Sequence, residues 1–164
     1  MEHRRADFAA FYESARDDCL RAVTASLGSR QAAEEVVAEA FARAWARWPR
    51  VADHPSPRAW VVRTALNMHI SWWRRWRGEV LTPDRYDQPD QDDPDAATLD
   101  PRMMAALRSL PLRQRQVVAL RIFLDLDSKT TARTLGIAAG TVTAHLARAT
   151  SALRAHLTSV TEEE

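Results

Sequence analysis

The run Trp72-Trp73-Arg74-Arg75-Trp76-Arg77 interleaves indole rings with guanidinium groups, and Trp60, Arg63 and Asn67 stand upstream of it at helical spacing. Those residue types suit single-stranded nucleic acid. Exposed bases stack on indole at about 1 to 3 kcal/mol each, arginines follow the phosphates, and a carboxamide hydrogen-bonds a splayed base edge. Trp72 and Trp76 are in phase with the apolar positions of the same segment and read as core. Trp60 and Trp73 fall off that stripe, and with Arg63, Arg74, Arg75 and Arg77 they are the candidates for contact.

A second pattern lies towards the C-terminal end. Asp127 is placed to cap a short helix from Ser128 to Leu135, Gly136 supplies a turn, and Ile137 plugs it. A longer helix follows, with Val142, Leu146, Ala149 and Leu153 inward. This is helix-turn-helix spacing, in which the second helix enters a DNA major groove. Thr141, Thr143, Ala144, His145 and Arg148 fall away from the apolar stripe, where hydroxyls and a guanidinium reach bases and phosphates. A plain helical hairpin with a solvated arginine face shows the same pattern, so spacing alone leaves both readings open. A third feature, Glu34, Glu35, Glu39, Arg43 and Arg47 opposite an aromatic stripe, reads on its own as a solvated helix surface with weak ion pairs.

Groups for covalent chemistry are missing from the sequence. There is no glycine-rich phosphate loop, no nucleophile with a histidine motif beside it, and no metal-ligand spacing. The single cysteine, Cys19, reads as a small buried hydrophobe. No catalytic site, metal or cofactor is expected.

The elements that must position these residues are helical. Of 164 residues, 46% are hydrophobic and 27% charged, and only four are glycine, which favours an all-α fold over a turn-rich β sandwich. Phe8, Phe11, Tyr12, Ala15, Cys19, Leu20, Val23 and Leu27 mark one buried face of a first helix, stopped by Gly28. Ser29 caps a second, with Ala33, Val36, Val37, Ala40, Phe41, Ala44, Trp45 and Trp48 inward. PRVADHPSP reads as a loop from its three prolines, and Ser56 with Pro57 opens a third helix running to Gly78. RMMAALRSL and LRQRQVVALRIFL are two further helices ahead of the helix-turn-helix.

Charge is segregated along this chain. The formal net charge is +1, but residues 1–82 carry 13 arginines against 10 acids, residues 83–101 one arginine against seven acids, and residues 102–164 nine basic residues against five acids. The acidic stretch TPDRYDQPDQDDPDAATLDP has almost no aliphatic side chains and reads as a flexible linker; as a random coil its roughly 19 residues span about 25 Å. The organisation expected is therefore two small helical domains, 1–80 and 101–160, joined by an acidic linker at 81–100. No apolar run reaches the roughly 20 residues of a membrane span, and MEHRRADF lacks the apolar stretch of a secretory signal, so a cytoplasmic protein is expected.

In their order and spacing these pieces resemble a bacterial RNA polymerase sigma factor of the small two-domain, extracytoplasmic-function type. AAEEVVAEAFARAW is similar to region 2.2 of that family, PRAWVVRTALNMHISWWRR to region 2.3 running into 2.4, and LPLRQRQVVALRIF with LGIAAGTVTAHLARA to region 4. The resemblance implies a non-enzymatic protein, a monomer when free, that binds core RNA polymerase through its largest-subunit clamp and its flap. It would direct the enzyme to promoter DNA and help melt it. Glu35, Glu39, Phe41, Arg43 and Trp45 would then face the clamp. The loop from Pro49 to Pro57 with Asn67 would capture a base flipped from the minus-10 element, and Arg63, Trp73, Arg74 and Arg75 would hold the adjoining strand. Thr141, Thr143, Ala144, His145 and Arg148 would read the minus-35 duplex, the acidic linker would thread the basic polymerase cleft, and an anti-sigma factor is a further implied partner.

This chain departs from the family pattern at several positions. Glu35 and Ala38 stand where an aspartate and a glutamine are usual, and Ser71 where an aspartate is common. In region 4, Thr130 and Thr131 replace a glutamate and an isoleucine, Ala138 a capping serine, and Thr143 a lysine. Weaker duplex binding follows from the lost capping and basic groups. Two other readings fit parts of the sequence: a stand-alone helix-turn-helix regulator, which has no need of the tryptophan and arginine run, and a helical protein-interaction module, which predicts no salt-dependent DNA binding.

Overall fold

The computed structural model describes residues 1–79 and 99–162, and the linker expected at 81–100 falls almost entirely outside the described residues. The described residues are helical and form no strand. In chain order the elements are α1 (Glu2–Leu27), α2 (Arg30–Ala46), α3 (Trp48–Ala52), α4 (Pro57–Glu79), α5 (Pro101–Ser109), α6 (Leu112–Val118) running into a π segment (Ala119–Phe123), α7 (Ser128–Leu135) and α8 (Ala139–Glu162).

Local signals set most of the boundaries. Gly28 ends α1 in the left-handed conformation (φ 74°), with its N–H donating to the Thr24 carbonyl. The Ser29 hydroxyl accepts from the Ala32 N–H, and the Ser56 hydroxyl from the Ala59 N–H, both at 3.3 Å. PRVADHPSP is not wholly a loop, because Trp48–Ala52 forms the short helix α3. Its Pro49 lies in the first turn, where a fixed φ suits the helix and no N–H is needed, and buried Trp48 and Val51 anchor it. The expected single helix over LRQRQVVALRIFL widens into the π segment, after which the chain reverses at Asp125 (φ 54°) and Arg121 donates to the Leu126 carbonyl (2.5 Å).

The N-terminal half packs α1 against α2 and α4. Six aromatic residues of α1, α2 and α3 form one layer, with Phe8 against Trp45 and Trp48 at 5.2 Å between ring centroids, Phe11 against Phe41 at 5.8 Å, and Tyr12 edge-on to Phe41 at 5.0 Å. In the C-terminal half, α7 and α8 close on a small cluster of Val117, Ala132 and Val142, with Leu135, Ile137 and Leu146 around it.

The two halves share one core. Residues 22–26 of α1 are buried in succession, because this end of the helix is covered by α2 and α4 on one side and by α5, α6 and the π segment on the other. A single buried face was expected for α1. Ala22, Ala25 and Ser26 read as neutral in the sequence, yet their small side chains let a second layer approach closely. Leu107, Leu120, Leu124, Ala149 and Leu153 belong to the same core as Val23 and Val36. Arg108 fastens the seam, donating to the Gly28 carbonyl from Nε (3.0 Å) and Nη2 (2.7 Å).

Candidate nucleic-acid interface

Helix α4 is anchored at its start. The Arg58 guanidinium is ion-paired with Asp18 and donates to the Ser14 carbonyl (2.8 Å), fixing α4 on α1. Beneath that contact lies Cys19, fully buried, and burial pushes its thiol up to about 12, so it is inert as the sequence suggested. Val61, Val62, Ala65, Leu66 and Met68 face the core, which leaves Arg63 and Asn67 exposed and Trp60 half-buried on the opposite side.

Those three residues come together on one wall of a cavity of about 500 Å³. The loop residues His54 and Pro55 extend that wall, and the Ser56 N–H donates to His54 Nδ1 (3.0 Å), holding the imidazole at the rim. The facing wall is α7, with Thr130, Arg133 and Thr134. No spacing rule connects Arg63 with a residue seventy positions later, so the sequence carried no signal of this juxtaposition. Trp73 is half-buried, and Arg74 and Arg75 are exposed further along α4, about 16 to 18 Å from Arg63 along the helix axis at 1.5 Å per residue. The side chains of Trp76 and Arg77 lie outside the described residues.

On α2, Glu35, Glu39 and Arg43 are exposed, with Arg43 paired to Glu39 (3.2 Å) and Arg30 to Glu34 (2.9 Å). Trp45 is half-buried under the Arg4 guanidinium, which sits 4.7 Å from its ring centroid and donates to its carbonyl (2.8 Å). Phe41 is not on that surface. It is 3% exposed and belongs to the aromatic layer, so it sets the position of α2 rather than offering a contact.

The helix-turn-helix is capped as its sequence implies. Asp127 accepts from the Thr130 N–H (2.7 Å), which holds its carboxyl below the usual range, and Gly136 turns the chain in the left-handed region (φ 68°). Thr141, Thr143, Ala144 and Arg148 are exposed on α8, while Val142, Ala149 and Leu153 are buried. His145 is half-buried with its Nδ1 enclosed and unpartnered, so it presents less to a duplex than its neighbours. Thr131 is fully buried with no partner for its hydroxyl.

A helical module with Arg63, Arg74 and Arg75 exposed along α4, followed in the chain by a capped helix-turn-helix, fits a two-part DNA-binding protein. Residues 11–78 match the family model for Sigma-70 region 2 and residues 101–153 that for Sigma-70, region 4. The RNA polymerase sigma-E factor of Streptomyces antibioticus is 31% identical over 92% of this chain and 84% of its own length. The ECF RNA polymerase sigma factor SigL of Mycobacterium tuberculosis is 37% identical over 77% of this chain and 75% of its own. The fold is also that of the sigma factor RpoE from Bartonella quintana, solved with the anti-sigma factor NepR, at a TM-score of 0.73, 20% identity and coverage of 93% and 97% of the two chains. CnrH, solved with the cytosolic domain of CnrY, matches at a TM-score of 0.64 and 20% identity, covering 94% and 90%. The chain belongs to the extracytoplasmic-function RNA polymerase sigma factors, and its function is to direct transcription initiation at promoters.

Proposed function

We infer that the two halves divide promoter recognition as the family's regions do. Region 2, expected over 1–80, holds core polymerase through Glu35, Glu39, Arg43 and the rim of Trp45, and takes the melted minus-10 strand along α4. Region 4, expected over 101–160, reads the minus-35 duplex and touches the flap. The observation that supports this reading is the two-sided character of α4: Trp60, Arg63 and Asn67 line one wall of the cavity while Val61, Val62, Ala65 and Leu66 are buried in the core behind it. Stacking, phosphate contact and a base-edge amide are then available on a preorganised helix, which suits bases freed from a duplex.

The chain performs no reaction of its own in this reading and acts in the cytoplasm, where its polymerase works. Among the described residues no helix is long and apolar enough to cross a membrane. An anti-sigma factor is a fitting partner, because the solved structures of similar fold are complexes with NepR and with the cytosolic domain of CnrY. Co-elution with bacterial core polymerase on a sizing column tests the assignment. A one-to-one complex is expected, and a folded protein that fails to bind overturns it in favour of a stand-alone regulator. The double variant Asn67→Ala with Trp73→Ala should keep polymerase binding and lose open-complex formation. Arg148→Ala should flatten the salt dependence of promoter association by about 0.9 log units for each phosphate that the guanidinium neutralises.

A further inference from the structure

The cavity between α4 and α7 has an electrostatic anomaly. Arg63 from one half and Arg133 from the other line the same space, no carboxylate lines it with them, and neither makes an ion pair among the described residues. Asp127, which caps α7 and does not line the cavity, interacts electrostatically with Arg133 from outside it. Two like charges brought to one cavity with no carboxylate in its lining repel, and an anion placed between them relieves that cost.

The other lining groups narrow the anion. The Thr64 and Thr134 hydroxyls donate to the carbonyls of Trp60 and Thr130 (2.7 Å each), so they face the cavity as acceptors only. The Thr130 hydroxyl is hydrogen-bonded to Asp127, so the side-chain donors left on the two helices are the guanidiniums, the Trp60 indole N–H and the Asn67 carboxamide, which offers a donor and an acceptor side by side. Trp60 supplies an aromatic wall. A volume of about 500 Å³ holds a small ligand.

We propose that this cavity is a binding site for a single nucleotide, with its phosphate between Arg63 and Arg133 and its base against Trp60 and Asn67. The reading of α4 as a strand-binding face shares three of these residues; the contribution of Arg133 is independent of it. Because the walls belong to both halves, a bound nucleotide favours the packed arrangement over any opened one, and competes with a DNA strand for α4. The same chemistry is offered by a free nucleotide and by one residue of a single strand. A free nucleotide engages both walls, whereas a strand running along α4 needs only one.

The test is calorimetric titration of the full chain, without polymerase, using ADP, GDP, dAMP and dTMP, with inorganic phosphate and a short single-stranded minus-10 oligonucleotide as further arms. Saturable binding of a free nucleotide that also raises the melting temperature is expected, weakened tenfold or more by Arg133→Ala and partly restored by Arg133→Lys. Arg133 is exposed, so these variants report on binding rather than folding. Absence of saturable nucleotide binding up to millimolar concentration overturns the proposal. So does phosphate binding as tight as nucleotide binding, or nucleotide affinity indifferent to Arg133→Ala. Failure here with normal open-complex formation by the polymerase-bound protein leaves the promoter assignment standing.

Discussion

Helices α1 to α3 of the N-terminal half carry six rings in one contiguous layer, from Phe8 through Phe11 and Tyr12 to Phe41, Trp45 and Trp48. The helix-turn-helix closes on Val117, Ala132 and Val142, and its long helix reaches back to the shared core only through residues such as Ala149 and Leu153. The first half has an aromatic layer of its own, whereas the helix-turn-helix closes on a smaller cluster and otherwise leans on the core shared with α1. The smaller cluster leads us to expect the helix-turn-helix to be the weaker half.

Deleting the centre of each core is the strongest way to break that comparison. Phe41→Ala should cost about 3 to 5 kcal/mol, and Val142→Ala, losing two methyl groups, about 1.5 to 2 kcal/mol; urea denaturation of the full chain gives both numbers. Equal costs would show that the helix-turn-helix is as firmly built as the aromatic layer.

The seam is the next target. Arg108→Ala removes two hydrogen bonds from a charged donor to the Gly28 carbonyl and should shift the closed arrangement by roughly 1 to 2 kcal/mol. A larger radius of gyration in small-angle scattering, with helicity unchanged, is the expected signature. An unchanged radius would show that the apolar contacts of α1 hold the halves together unaided.

Thr131→Val tests the weaker half from the other direction. It replaces a fully buried, unpartnered hydroxyl by a methyl of the same shape, and should stabilise by about 1 kcal/mol, seen as a raised urea midpoint. A loss of stability would mean that the hydroxyl has a partner in solution.

Acid sharpens the comparison with the smallest effect. Burial lowers the pKa of His69 on α4, so the folded first half favours the neutral ring. Its contribution is complete above the unfolded value of 6.5 and is lost as pH falls through the lower folded one. Asp127 is likewise depressed, by its hydrogen bond from Thr130, but its contribution is lost only as pH falls below the unfolded carboxyl value of 3.8. Melting temperatures between pH 7.5 and 5 should therefore decline mildly, and His69→Gln should flatten that decline while Asp127→Asn leaves it unchanged.

The helix-turn-helix was legible almost residue by residue, because capping is local chemistry: Asp127, Gly136 and Ile137 announce themselves within ten positions. The helical faces of α2 and α4 were equally legible from their period. Phe41 shows two sequence readings at odds: its period placed it on the inward apolar stripe, the resemblance placed it in polymerase contact, and its packing against the rings of Phe11 and Tyr12 keeps it inward. The short helix α3 was hidden by its proline, which reads as a breaker although it is tolerated in a first helical turn.

By itself the sequence determined the helical class, the two modules with their charge separation, the caps, and the family to which the motifs belong. All of these depend on residues close together in the chain. The tertiary structure alone decided that α1 is covered on two sides, that Arg108 reaches across eighty residues to Gly28, and that Arg63 and Arg133 share a cavity. Such pairings join small or charged residues whose local pattern looks like ordinary surface, and the free energy that selects them comes from apolar area buried between distant helices, which no short stretch of sequence encodes.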